Sequence, residues 1–190
     1  GDVYKRQLDM SSLDDLFTTE EQRQDAQLEK VMKIPISEIH EFNNHPFGVR
    51  LDEDMTKLIE SIHDNGVLVP VLVRPDKDGK GYEMVSGHRR MFALEKTGAN
   101  EIDAIVRELD DDQATIIMVD SNIQRENILP TERGYAYRMK LEAMKHQGKR
   151  PNITSTQVGQ KLNGKYSVEL LADEMNATRS QIQRYIRLTY

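Results

Sequence analysis

The spacing of apolar residues changes partway along this 190-residue chain, and no all-α or all-β fold accommodates the change. Up to Val106 short β-branched runs alternate with helical spacing; beyond Asp110 only helical spacing remains. Met32 to Ile36 is a short apolar segment, followed by a loop containing Asn43, Asn44, Pro46 and Gly48. Met55, Leu58, Ile59 and Ile62 then recur at helical intervals, predicting an amphipathic helix opened by Asp52 and closed by Gly66. Val67 to Arg74 is too short and too Val-rich for a helix, so it reads as the first strand of the sheet which that helix covers. The turn Asp76 to Gly79 leads to a return strand, Tyr82 to Val85. After Ser86-Gly87 a helix through Met91, Phe92, Ala93 and Leu94 stops at Gly98, and Ile102 to Val106 is another strand. The acidic cluster Asp110 to Asp112 suits the start of a third helix, with Ala114, Ile117 and Met118 on its apolar face and its end near Arg125. Pro130 and Thr131 start a long helix through Tyr135, Met139, Leu141 and Met144 that ends at Gly148. Ser155 to Leu162, Val168 to Met175 and Ser180 to Leu188 are all helical in pattern. The expected architecture is an α+β domain with a small mixed sheet over residues 31–128, followed by an all-α domain over 129–190.

Several classes of function are excluded at once. No uninterrupted apolar run approaches the roughly 20 residues a bilayer-spanning helix needs. The absence of cysteine removes disulfides, thiolate nucleophiles and cysteine-ligated metal sites. The five histidines, His40, His45, His63, His88 and His146, lack metal-ligand spacing, and no nucleophile-elbow or Walker A string is present. The net charge of −6 hides an asymmetry: residues 1–133 carry 16 Lys and Arg against 28 Asp and Glu, residues 134–190 carry 10 against 4. A basic final third on an acidic body suggests that one part of the chain meets phosphate. Residues 1–30 are polar and acidic and read as a flexible arm, with Gly1 to Gln7 resembling a translated sequencing-adapter remnant. No signal peptide is recognisable at the start, so a cytoplasmic location is expected, with no membrane partner.

Three groups of residues carry chemistry. Val85 to Arg90 lies where a strand turns into a helix; Gly87 permits close backbone approach, and Arg89 and Arg90 supply fork-shaped donors, the ingredients of a polyphosphate cradle. The same residues also fit solvated arginines beside an ordinary turn glycine. Asp120 to Asn127 crowds amide, guanidinium and carboxylate groups before Pro130, which fits either a ligand-facing edge or a frayed helix end. In the segment 167–188, Leu171, Ala172 and Met175 precede the turn Asn176-Ala177-Thr178, and Ile182, Tyr185 and Ile186 follow it, the pattern of a helix-turn-helix. Its second helix would present Thr178, Arg179, Ser180, Gln181, Gln183 and Arg184 to a major groove. A plain helical hairpin with a polar outer face is the alternative.

In this order the motifs resemble the ParB family of partition proteins, over about residues 31–188. That family's Gly-Glu-Arg-Arg box is similar to Gly87-His88-Arg89-Arg90, and its Glu-Asn-Leu-Gln-Arg box, followed by a proline-glutamate helix start, is similar to Ser121 to Arg125 with Pro130 and Glu132. Pro46-Phe47-Gly48-Val49-Arg50, with Gly66 to Val71 after the acidic helix, resembles its opening motif. The resemblance implies a ParB/sulfiredoxin-like fold and a homodimeric clamp. By that resemblance the clamp would bind CTP with Mg²⁺, read a palindromic centromere-like site on double-stranded DNA, close and slide, and work with a Walker-type partition ATPase. By the same resemblance Ser86, Gly87 and His88 hold the nucleotide, Arg89, Arg90 and Arg125 neutralise its phosphates, Arg50 lies near it, and Asn122, with Ser121 beside it, places the metal.

Two departures matter. His88 and Ser121 each stand where the family has a glutamate, which removes candidate metal ligands and any group to orient an attacking water while sparing the cations. CTP binding is therefore the firmer expectation, CTP hydrolysis the weaker. The chain ends at Tyr190, just after the expected recognition helix, and reads as truncated before a C-terminal dimerisation domain. Two alternatives stand beside this reading: a nucleotide-independent transcriptional repressor, and a small-molecule kinase on the same fold. Sulfiredoxin chemistry needs a cysteine, and a kinase needs a carboxylate base where both boxes have lost one.

Overall fold

A computed structural model describes residues 30–125, 127–147 and 164–190. Five strands form one mixed sheet: β1 (Val31–Pro35), β2 (Ile39–His40), β3 (Val71–Pro75), β4 (Tyr82–Ser86) and β5 (Glu101–Val106), in the spatial order β1-β5-β3-β4-β2. β1 pairs antiparallel with β5 and β3 antiparallel with β4, whereas β3–β5 and β2–β4 are parallel. Helix α1 (Glu53–Asn65) precedes β3, α2 (His88–Lys96) follows β4, and α3 (Asp111–Ile123) follows β5. Three further helices complete the described chain: α4 (Pro130–Gln147), α5 (Gly164–Glu174) and α6 (Arg179–Arg187).

Local chemistry sets these boundaries. The Asp52 carboxylate accepts from the Met55 amide and caps α1, and Gly66 ends it at a φ of 72° that a side chain resists. Asp110 and Gln113 form a reciprocal capping box at the start of α3. The first strand of the hairpin is shorter than its composition predicts and is not the first in the sheet, because β1 and β2 precede it. Residues 67–70 stay outside the ladder: Leu68 and Val69 are 79% and 61% exposed, and the carbonyls of Val69 and Pro70 accept from the Arg90 side chain. Pro70 has no amide to donate to a neighbouring strand, so the ladder starts one residue later. The expected helix over 155–162 lies outside the described residues.

Two apolar clusters hold the elements together. One joins α1 and α2 to the sheet through Met55, Ile62, Val71, Val73, Met84, Met91 and Ile102. The other gathers Phe42, Phe47 and Val85 with Met118 and Val119 of α3, Tyr137 and Leu141 of α4, Leu171 of α5 and Ile182 of α6. Residues Val31–Tyr190 thus form one compact unit. The buried face of α4 is Gly134, Ala136, Tyr137, Lys140, Leu141 and Ala143, and Tyr135 is 47% exposed. No helix among the described residues is long and apolar enough to cross a membrane.

Candidate functional site

The junction of β4 and α2 is built around Gly87. Its φ of 122° is closed to L side chains, and a Cβ there would overlap the Val71 side chain. Gly87 is also the N-cap of α2, and it has no side chain with which to cap the first amides of that helix. Arg89, in the first turn of α2, lies 3.5 Å from the Asp52 carboxylate. Burial pushes the Arg125 guanidinium down from its ordinary value, nearby Arg89 and Arg50 push the same way, and Glu132 and Asp52 oppose them. Three arginines from segments far apart in sequence therefore converge around two carboxylates. Arg50 Nη2 donates to Glu132 Oε1 at 2.5 Å, the Gly48 amide donates to the same oxygen at 3.2 Å, and the Leu129 amide donates to Oε2 at 3.0 Å. The Met55 amide, then Arg89, holds the Asp52 carboxyl below the usual carboxylate range.

Other expected site residues have partners within their own elements or the adjoining loop. Arg90 Nη1 donates to the carbonyls of Val69 and Pro70 at 2.6 and 2.7 Å, because consecutive helical residues diverge by about 100°. Ser86 pairs with Leu72 in the ladder. Ser121 Oγ and Asn122 Nδ2 both donate to the Met118 carbonyl, at 3.0 and 2.8 Å. Among the described residues no group of three or more His, Asp or Glu side chains could hold a metal ion.

His88 is drawn inside. Only 7% exposed, its ring stacks on His45 with centroids 3.8 Å apart, and neither of its nitrogens has a partner. Burial, then the neighbouring His45, lowers its pKa to about 3 from 6.5. The unfolded chain therefore binds the extra proton first as pH falls, so stability is full above about pH 6.5 and declines below it, by about 2 kcal/mol at pH 5. Urea denaturation at about pH 7.5 and about pH 5 measures this, and a His88→Gln variant is expected to flatten the dependence. Equal slopes in parent and variant refute the assignment.

The second expected site lies on α5 and α6. Asn176 adopts the left-handed conformation at φ 49° between them. Thr178 caps α6 in a reciprocal box with Gln181, whose side-chain oxygen accepts from the Thr178 amide at 2.8 Å. Gln181 is thereby engaged within the helix start. Arg179 lies 3.6 Å from Glu169, Ser180 and Arg184 are exposed, and Gln183 is half-buried. α6 is seated by the fully buried Ile182 and by Gly134 of α4, where any side chain would strike the Tyr185 carbonyl.

Three placements escape a reading of the sequence, two of them in the site and one beneath it. Asp52 is legible only as a helix cap, Glu132 only as part of a helix start, and Lys140 of α4 carries no signal at all. Yet Lys140 is 3% exposed, with Nζ 2.6 Å from Asp120 of α3 and 2.6 Å from Glu174 of α5.

The model of the ParB N-terminal domain matches residues 20–123. The chain is 36% identical over 123 residues to a nucleoid occlusion protein of Geobacillus sp. (strain WCH70), covering 65% of this chain and 43% of that protein. It is 37% identical over 115 residues to the chromosome-partitioning protein ParB of Myxococcus xanthus, covering 60% and 38%. The chain thus spans well under half the length of these curated relatives. Among solved structures it is similar to C-terminally truncated ParB from Caulobacter crescentus complexed to the centromeric parS site, with TM-score 0.53 and 26% identity over 82% of this chain and 70% of that one. The same Caulobacter protein complexed with CTP-gamma-S aligns at TM-score 0.47 and 27% identity, covering 83% and 77%. With a family model that covers more than half of its residues, this chain belongs to the ParB N-terminal domain family.

Proposed function

We propose that this chain is the nucleotide-binding and DNA-reading part of a ParB-like partition or nucleoid occlusion protein, with CTP at the start of α2 and double-stranded DNA on α6. The observation that carries the nucleotide half is the convergence of Arg50, Arg89 and Arg125 beside the uncapped amides at Gly87. Fixed cations and free amides at a helix start are what a triphosphate requires. The division of labour follows the chain, with residues 31–128 for nucleotide and 129–190 for DNA. Mg²⁺ arrives on the triphosphate in this reading, since that ion usually keeps its waters and phosphate ligands and the described residues form no cage for it. The side chains at positions 88 and 121 offer no carboxylate, so the reading is of binding without an assigned hydrolytic group.

The DNA half rests on the left-handed turn at Asn176, the basic exposed face of α6 with Arg179 and Arg184, and the Caulobacter relative bound to parS. It is a helix-turn-helix reading of α5 and α6. A palindromic site, a homodimer that closes into a sliding clamp, and a partition ATPase as partner belong to the same proposal. Calorimetric titration with CTP and Mg²⁺, alongside selection from random duplexes, tests both halves. The expected result is saturable CTP binding together with enrichment of a palindrome. An enriched palindrome without CTP binding would instead indicate a nucleotide-independent repressor, and the absence of both CTP binding and an enriched palindrome would overturn the whole proposal.

A further inference from the structure

We infer that Lys140 is a positioning residue that joins the nucleotide site to the DNA-reading helices; the inference rests on the function proposed above. Its ammonium group lies inside the protein with a carboxylate from each side, Asp120 of α3 and Glu174 at the last residue of α5, both at 2.6 Å. A buried cation tolerates such a place only while its partners compensate the lost hydration, so the three groups hold or release together. Each partner sits at a functional end. Asp120 immediately precedes Ser121 and Asn122, on the helix that leads to Arg125 of the arginine cluster. Glu174 immediately precedes the turn through Asn176 that aims α6.

α4 itself touches both sites. Its first turn holds Arg50 through Glu132, and Gly134 backs directly onto the Tyr185 carbonyl of α6. A phosphate group that draws Arg125 shifts the end of α3, and the Asp120 arm carries that shift to Lys140. The Glu174 arm passes it to the turn before α6. This is a contiguous physical link between two sites, and it makes a demand on their coupling: the effect of nucleotide on DNA affinity must run through the ammonium group.

Lys140→Met keeps the length and apolar stem while deleting the charge. With no DNA present the variant is expected to bind CTP within about twofold of the parent, since the Lys140 ammonium pairs with Asp120 and Glu174 and with none of the phosphate-facing arginines. The ratio of its affinities for the enriched duplex with and without CTP is expected to fall to about one, whatever that ratio is in the parent. A role confined to stability would weaken both affinities alike and leave the ratio standing. Amides of α5 and α6 should exchange faster in the variant while those of β3 to β5 stay protected. Glu174→Gln, which spares the Asp120 arm, must reproduce the lost ratio and replaces the methionine variant if that chain fails to fold. An unchanged ratio in either folded variant overturns the joint. A parent whose DNA affinity is indifferent to CTP overturns it too, and calorimetry on that parent then shows separately whether the nucleotide reading survives.

Discussion

Replacing Gly87 by alanine is expected to cost about 3–5 kcal/mol of stability, from backbone strain at positive φ added to overpacking of a fully buried neighbour. The φ of 122° excludes L side chains, and the new methyl group would occupy the space of the Val71 side chain, which is itself 0% exposed at the centre of the sheet. Neither term can relax alone, because the strand fixes Val71 and the helix start fixes residue 87. Urea denaturation measures the loss. Adding Val71→Ala opens the space and is expected to restore part of the stability without restoring the strained backbone, so the double variant remains below Val71→Ala alone. A Gly87→Ala protein as stable as the parent would show that the junction relaxes freely, and the tight turn would lose its role in presenting the α2 amides.

Arg125→Ala is expected to lower CTP affinity about 100-fold, the value of one or two charge-assisted hydrogen bonds to phosphate. Fold stability should change by no more than about 0.5 kcal/mol, because the removed cation is repelled by Arg89 and Arg50 while it is attracted by Asp52 and Glu132. Arg125→Lys should recover only part of the affinity, since an ammonium is a point donor and not a planar fork. Calorimetry with CTP and Mg²⁺ reads both variants. Unchanged affinity in the alanine protein would detach Arg125 from the site and leave the convergence of arginines without a ligand.

What could be foreseen from sequence was what neighbours along the chain determine. The α1 helix, its Asp52 start and its Gly66 stop follow from spacing and capping within about 15 residues. The hairpin, the α3 capping cluster and the left-handed Asn176 are equally local. Long-range choices were not visible. Residues 67–70 carry strand composition, yet Pro70 lacks a ladder donor and the distant Arg90 claims the carbonyls of Val69 and Pro70. Arg89 and Arg90 look equivalent as adjacent cations, yet one turns to Asp52 and the other to the loop. The two-residue strand β2 is too short for periodicity to register, and it exists because Ile39 and His40 find β4. A lysine in a helical pattern reads as solvated, and nothing near Lys140 in sequence announces carboxylates 20 and 34 positions away.

The arginine cluster is not an empty cationic bowl, for it already holds its own anions. Asp52 and Glu132 offset two of the three positive charges, and the Glu132 oxygens occupy Arg50 and two backbone amides as a phosphate would. Entry of a ligand here is consequently an exchange of counterions rather than a simple addition, and the incoming group must outcompete tethered carboxylates that lose no translational freedom in staying. Orthophosphate and sulfate are poor competitors on those terms. On the reading proposed above, a chain of three linked phosphates would displace both residents at once, and the pocket would select for the number of charges delivered on one molecule.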